Sequence, residues 1–201
     1  VVSDGVNILP MATSQDHKAV GEGDVGLNTG GMGGYSPAPI VDARMHQKIL
    51  DEVMEPTMKG LINEGSPYLG FLYAGVMIHN GELKVLEFNC RFGDPETQVL
   101  IPLLKTPLAQ LLYKAATRNL EGIELEWRDE SAVTVVLAAK GYPSAPQSGD
   151  LIGKSGIESS YASGGYLTVN YRTDSLQQNL NDGFNQYFFP TFLIFCKIKI
   201  F

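Results

Sequence analysis

The sequence predicts an α+β fold, an antiparallel sheet with flanking helices, and three observations carry that prediction. Two apolar runs, 68–79 and 83–90, are joined by Asn80-Gly81, a strong signal for a tight β-hairpin. Apolar residues at helical spacing run through 41–65. A continuous apolar run over 132–139 stops at Gly141-Tyr142-Pro143 and suits a buried strand.

Bulk properties set the outer limits. A chain of 201 residues is long enough to bury a sizeable core as one domain, or one domain with an appendage. The net charge of -7 argues against a nucleic-acid surface, which needs clustered Lys and Arg. Cys90 and Cys196 stand far apart without metal-type spacing, which points to a reducing compartment and no disulfide framework. Neither a leader segment nor an apolar run of membrane-spanning length is visible. The expectation is a cytoplasmic protein with no nucleic-acid partner and no membrane.

Taken in order, 1–11 predicts two short strands around Asp4-Gly5, and the chain reads as starting inside a domain. Residues 12–39 are too rich in Gly, Asp, Asn, Ser and Pro for a regular element, so they predict a long loop. Within it, Gly30, Gly31, Gly33 and Gly34 let backbone approach a ligand, and their amides predict an anion-holding nest. The loop lacks the Gly-Lys-Ser/Thr of a P-loop. Lys18 offers a charge for a phosphate, whereas His17 reads as a structural donor. Asp42 predicts the cap of the 41–65 helix, Met45, Ile49, Val53 and Met54 its apolar face, Pro56 a kink, and Gly65 its end. Further helices are predicted over 96–104 and 107–120, the latter capped by Thr106, started by Pro107 and buried along Leu108, Leu111, Leu112 and Ala115.

The richest stretch is 83–98, which begins as a strand and ends as a helix start. Plain alternation puts Leu83, Val85, Glu87 and Asn89 on one face, with Lys84, Leu86, Phe88 and Cys90 on the other. A carboxylate and an amide oxygen two residues apart are hard ligands suited to Mg²⁺ or Mn²⁺ on phosphates, and equally to the solvated end of a half-buried strand. Counting back from the turn pairs Met77 with Lys84, Val76 with Val85 and Ala74 with Glu87. Arg91 supplies a planar fork for a carboxylate or phosphate, or an ion pair with Asp94 or Glu96. Asp94-Pro95 reads as N-cap and first helical residue.

The run Leu-Glu-Phe-Asn-Cys-Arg-Phe-Gly-Asp-Pro-Glu-Thr-Gln at 86–98 resembles the signature of the glycinamide ribonucleotide synthetase family of ATP-grasp enzymes. Two further blocks carry the same resemblance: Leu-Pro-Met-Ala-Thr-Ser-Gln-Asp-His-Lys at 9–18 with Asn-Thr-Gly-Gly-Met-Gly-Gly-Tyr-Ser-Pro-Ala-Pro at 28–39, and Gly-Phe-Leu-Tyr-Ala-Gly-Val-Met at 70–77. Roughly residues 1–155 are covered. The resemblance implies residues 1–125 as the C-terminal part of an ATP-grasp domain and 126–160 as the start of a small β-rich subdomain. It implies ATP and Mg²⁺ or Mn²⁺ as cofactors, with glycine and phosphoribosylamine as substrates. Glu87 and Asn89 become metal ligands and Arg91 the catalytic cation. Asp16, Lys18, Asn28, Thr29, Gly30, Gly31, Met32 and Gly33 line the substrate pocket. Many ATP-grasp enzymes add an acid from the partner strand, and none is evident here. The implied reaction ligates glycine to phosphoribosylamine in purine biosynthesis through a glycyl phosphate, in a parent that can carry other purine-pathway domains. The family's N-terminal domain and most of its ATP lid have no counterpart, which leaves a truncated non-catalytic product as the alternative. Another ATP-grasp ligase or carboxylase is disfavoured by the Asn28–Gly33 run. Residues 161–201 do not resemble the family, and 188–201 reads as sequence foreign to the fold.

Overall fold

The computed structural model describes residues 1–147, 166–172 and 192–199. Residues 148–165, 173–191 and 200–201, which take in the end of the expected 126–160 subdomain and much of 161–201, lie outside them. The chain divides into two units, one of residues 1–13, 37–93 and 103–129, the other of 14–36, 94–102 and 130–201.

The first unit is helices over antiparallel strands. β1 (Val2–Asp4) pairs with β2 (Ile8–Leu9) as expected from Asp4-Gly5, and on its other edge with β7 (Leu69–Phe71). The predicted helix begins at α1 (Ala43–Ile49), where Asp42 Oδ1 accepts from the Met45 amide at 2.7 Å. The expected kink takes the form of a π-helical turn over Leu50–Met54, and α2 (Glu55–Asn63) follows with Pro56 in its first turn. A proline ring crowds the carbonyl four residues back, and the wider turn relieves this, the Glu55 amide reaching Leu50 O instead. Gly65 at φ +74° closes the helix, with Gly65 N donating to Ile62 O and Ser66 N to Leu61 O. Val53, Met54 and Met58 bury themselves with Leu72, packed by Leu83 and Ala74, so the methionines are core.

The β8 (Tyr73–His79) and β9 (Glu82–Asn89) hairpin turns at Asn80 and Gly81, both with positive φ, as the dipeptide predicts. Met77↔Lys84 and Val76↔Val85 hold, but Glu87 stands opposite Gly75 rather than Ala74. Leu86 is an extra residue in a bulge between Val85 and Glu87, and a bulge resets the alternation. Leu83, Val85 and Phe88 therefore share a face with Ala74, Val76 and Ile78, toward the helices, while Lys84, Glu87 and Asn89 share the other with Tyr73, Gly75 and Met77. This corrects the plain alternation: Glu87 and Asn89 stay together but leave the side of Leu83 and Val85.

α4 (Leu108–Ala116) is shorter than expected, and its N-cap is Pro107, because the Thr106 hydroxyl accepts from the Glu126 amide at 2.8 Å instead of capping the helix. Leu111 and Ala115 bury against Val2 and Leu120, but Leu112, one helical step round, is 45 % exposed. Asp4, 1 % exposed, ties this layer together. Its carboxylate accepts from the amides of Val6, Asn7 and Leu120 and from Asn7 Nδ2 at 2.7–3.2 Å. Burial works to raise its pKa, yet those hydrogen bonds, Asn7 and Leu120 foremost, outweigh it and hold the group down to about 2.

In the second unit, the stretch read as one long loop contains β3 (Gln15–Asp16), the hairpin β4 (Ala19–Gly21) and β5 (Val25–Asn28), and β6 (Gly33–Ser36). β6 lies antiparallel between β3 and β10 (Ser131–Ala138), and β12 (Phe192–Lys199) and β11 (Tyr166–Arg172) extend that sheet in parallel, in the order β11-β12-β10-β6-β3. β10 buries Ala132, Thr134 and Val136 but leaves Val135 46 % exposed, so one face is covered rather than both. Residues 94–96 form a turn with a cis Asp94–Pro95 bond. α3 (Thr97–Leu100) starts later than predicted, with Glu96 and not Asp94 at its N-cap. It is a single turn running into a 3₁₀ turn over Ile101–Leu103, too short to present a strong helix dipole.

Candidate functional site

The end of β9 gathers three of the expected residues in the first unit. Glu87 lies over Gly75: a Cβ built there would sit 3.2 Å from Glu87 Cγ and 3.5 Å from the Tyr73 ring. Gly75 thus stands across from Glu87 in place of the expected Ala74, and its missing side chain makes room for the Glu87 stem. Asn89, opposite Tyr73, projects on the same face. Arg91 donates from Nη1 to Phe92 O at 2.7 Å and from Nη2 to Asn89 Oδ1 at 3.3 Å, which folds the guanidinium back on the turn. Two contacts brace that turn. The Phe92 ring stacks on Phe71 with centroids 3.8 Å apart. Burial, followed by a hydrogen bond with the Cys90 thiol, pushes up the pKa of Tyr68, whose hydroxyl also donates to Phe71 O at 2.7 Å.

One carboxylate and one amide oxygen on a shared face are a hard, incomplete donor set. They fit a divalent ion whose other ligands are phosphate oxygens and water. Among the described residues no cluster of three or more His, Cys, Asp or Glu is placed to hold a metal.

The expected substrate residues sit together in the second unit. Asp16, its side chain 9 % exposed, is 4.0 Å from Lys18 Nζ. The Lys18 carbonyl accepts from the Thr29 amide at 2.7 Å, and Asn28 pairs with Ala19, closing the β4–β5 hairpin. Beyond it the glycines do not form the nest predicted for them. The Gly30 amide donates to the Tyr142 hydroxyl at 3.1 Å, Gly31 N to Thr29 Oγ1 at 3.0 Å and Met32 N to His17 O at 2.8 Å, so three successive amides already have protein acceptors. The glycines answer to close packing. At φ +115°, a Cβ on Gly31 would collide with the Pro95 ring, and side chains at Gly33 or Gly34 would strike the backbones of Thr134 or Gln15. His17 faces Tyr35 at 5.5 Å between ring centroids. Tyr142 was read only as the end of a strand, since its partner lies 112 residues away.

Comparison with known proteins gives this geometry a lineage. Residues 1–97 match the family model of the phosphoribosylglycinamide synthetase ATP-grasp (A) domain. The phosphoribosylamine–glycine ligase of Pseudomonas aeruginosa is 56% identical over 153 residues, 76% of this chain and 36% of its own length. That of Pasteurella multocida is 52% identical over 160 residues, 79% of this chain and 37% of its own. The crystal structure of phosphoribosylamine–glycine ligase from Thermotoga maritima superposes with a TM-score of 0.66 at 38% identity, over 74% of this chain and 37% of that one. The chain thus spans 36% to 37% of the length of these curated relatives. It belongs to the phosphoribosylglycinamide synthetase ATP-grasp family.

Proposed function

We propose that the chain contributes the phosphate-handling strand and part of the acceptor side of an ATP-dependent ligase that joins glycine to 5-phosphoribosylamine. The product is glycinamide ribonucleotide, the route a glycyl phosphate, and the setting de novo purine synthesis in the cytoplasm. The activity is that of the whole ligase, of whose length this chain represents about 36%. Among the described residues no helix is long and apolar enough to cross a membrane.

The observation that carries the reading is the shared face of Glu87 and Asn89, with Arg91 hydrogen-bonded to the latter. Phosphoryl transfer to the glycine carboxylate, then amine attack on the acyl phosphate, shifts negative charge among crowded oxygens. Positioned cations serve such steps better than an acid–base pair. Glu87 and Asn89 would hold Mg²⁺ or Mn²⁺, which neutralises charge on the phosphates. Arg91 steadies the transferred phosphoryl group or the glycine carboxylate through its planar fork. Asp16, Lys18 and the Asn28–Gly33 segment shape the acceptor side, and their support is the family match rather than any preformed anion nest.

The test is Glu87→Gln, read by Mn²⁺ electron paramagnetic resonance and by calorimetry with Mg·ATP. Loss of a charged ligand from so small a donor set should weaken Mn²⁺ binding at least about tenfold, with thermal unfolding unchanged because Glu87 is exposed. Wild-type Mn²⁺ affinity in that variant removes the metal assignment.

A further inference from the structure

We propose that Lys84 is a phosphate-binding residue of the same site, a role that rests on the metal reading of Glu87 and Asn89. Plain alternation assigns Lys84 to the opposite face. The bulge at Leu86 moves it: Lys84 stands across from Met77 and Glu87 across from Gly75, two residues apart on one face of β8. That separation is about 7 Å of strand, within reach of a four-carbon lysine stem.

The environment leaves the ammonium for a ligand. Lys84 is exposed and has no ion-pair partner among the described residues, unlike Lys18 with Asp16 and Lys59 with Glu55. A helix-side position would have set it beside Leu83 and Ala74, which pack on the Val53, Met54 and Met58 cluster, where desolvating a cation is unfavourable. Its face instead carries Glu87, Asn89 and Tyr73, followed by Arg91 past the strand end. Positive charge therefore flanks the metal-ligand pair at both ends. A triphosphate with one divalent ion keeps net negative charge, and the Glu87 carboxylate adds to it. A cation beside the ion, touching oxygens that the ion does not, completes the match.

The experiment uses inorganic tripolyphosphate, which lacks the base and sugar, titrated into the chain by calorimetry with and without Mn²⁺. Lys84→Met should weaken tripolyphosphate binding about tenfold and flatten its dependence on salt, while affinity for Mn²⁺ alone stays at the wild-type value. Lys84→Arg should restore most of the loss. Wild-type tripolyphosphate affinity in Lys84→Met overturns the proposal, as does an equal loss of affinity for Mn²⁺ alone, which would mean a damaged hairpin. If Glu87→Gln leaves Mn²⁺ binding intact, the metal reading fails separately, and the metal-free titration still decides whether Lys84 takes phosphate.

Discussion

Replacing Asp4 with Asn keeps shape and volume but removes the charge on which four donors converge. The wild-type carboxyl titrates near 2 against an ordinary 3.8, because its hydrogen bonds outweigh the burial that would raise it. A depressed acid contributes stability that is complete above the unfolded pKa and lost as pH falls through the folded one. Linkage converts that shift into roughly 2 kcal/mol at pH 7, roughly 1 at pH 3 and well under 1 at pH 2. The Asn amide group adds a roughly constant cost of ~1–3 kcal/mol, since it presents a donor to amides that need an acceptor, Leu120 N being buried. Urea unfolding can be followed through the single tryptophan, Trp127, which bridges to Leu104 in the same unit. The gap between wild type and Asp4→Asn should shrink by ~1 kcal/mol between pH 7 and pH 3, groups common to both proteins cancelling. An equal gap at the two pH values would show that the carboxylate is not ionised in the folded state as described, and the reasoning fails.

Two further substitutions probe the sites. Gly75→Ala should leave unfolding within ~1 kcal/mol of wild type yet weaken Mn²⁺ binding several-fold, as the new methyl, 3.2 Å from Glu87 Cγ, displaces the carboxylate; Mn²⁺ resonance checks it. Tyr142→Phe should cost no more than ~1.5 kcal/mol but raise amide exchange at Gly30, which loses its acceptor; unchanged exchange would deny Tyr142 a hold on the loop.

What the sequence disclosed was local chemistry. Asp42 capping, the Asn80-Gly81 turn, Gly65 at the helix end and a disturbance ahead of Pro56 each depend on residues within a few positions of one another, and each is present. Pairings over long sequence distance stayed hidden. Asp4 meets Leu120 across 116 positions, and Gly30 meets Tyr142 across 112. Residues 12–39 looked structureless because the strand that organises β6, β10, lies about a hundred residues on. At the strand that carries Glu87 and Asn89 the residue types were legible while their surroundings were not. Counting in twos assumes an uninterrupted ladder, and nothing about leucine announces a bulge. The glycine-rich loop misled differently, since residues that free a backbone for ligands also let strands crowd together.

Leu86 has a lesson for anyone moving this motif elsewhere. Transplanted onto a regular hairpin, the Glu-x-Asn pattern would arrive back to front, its acid pressed into hydrocarbon and its lysine stranded behind the sheet. A graft therefore needs either the extra residue together with its bulge or a strand one residue shorter, and in both cases the bare glycine facing Glu87 must go with it.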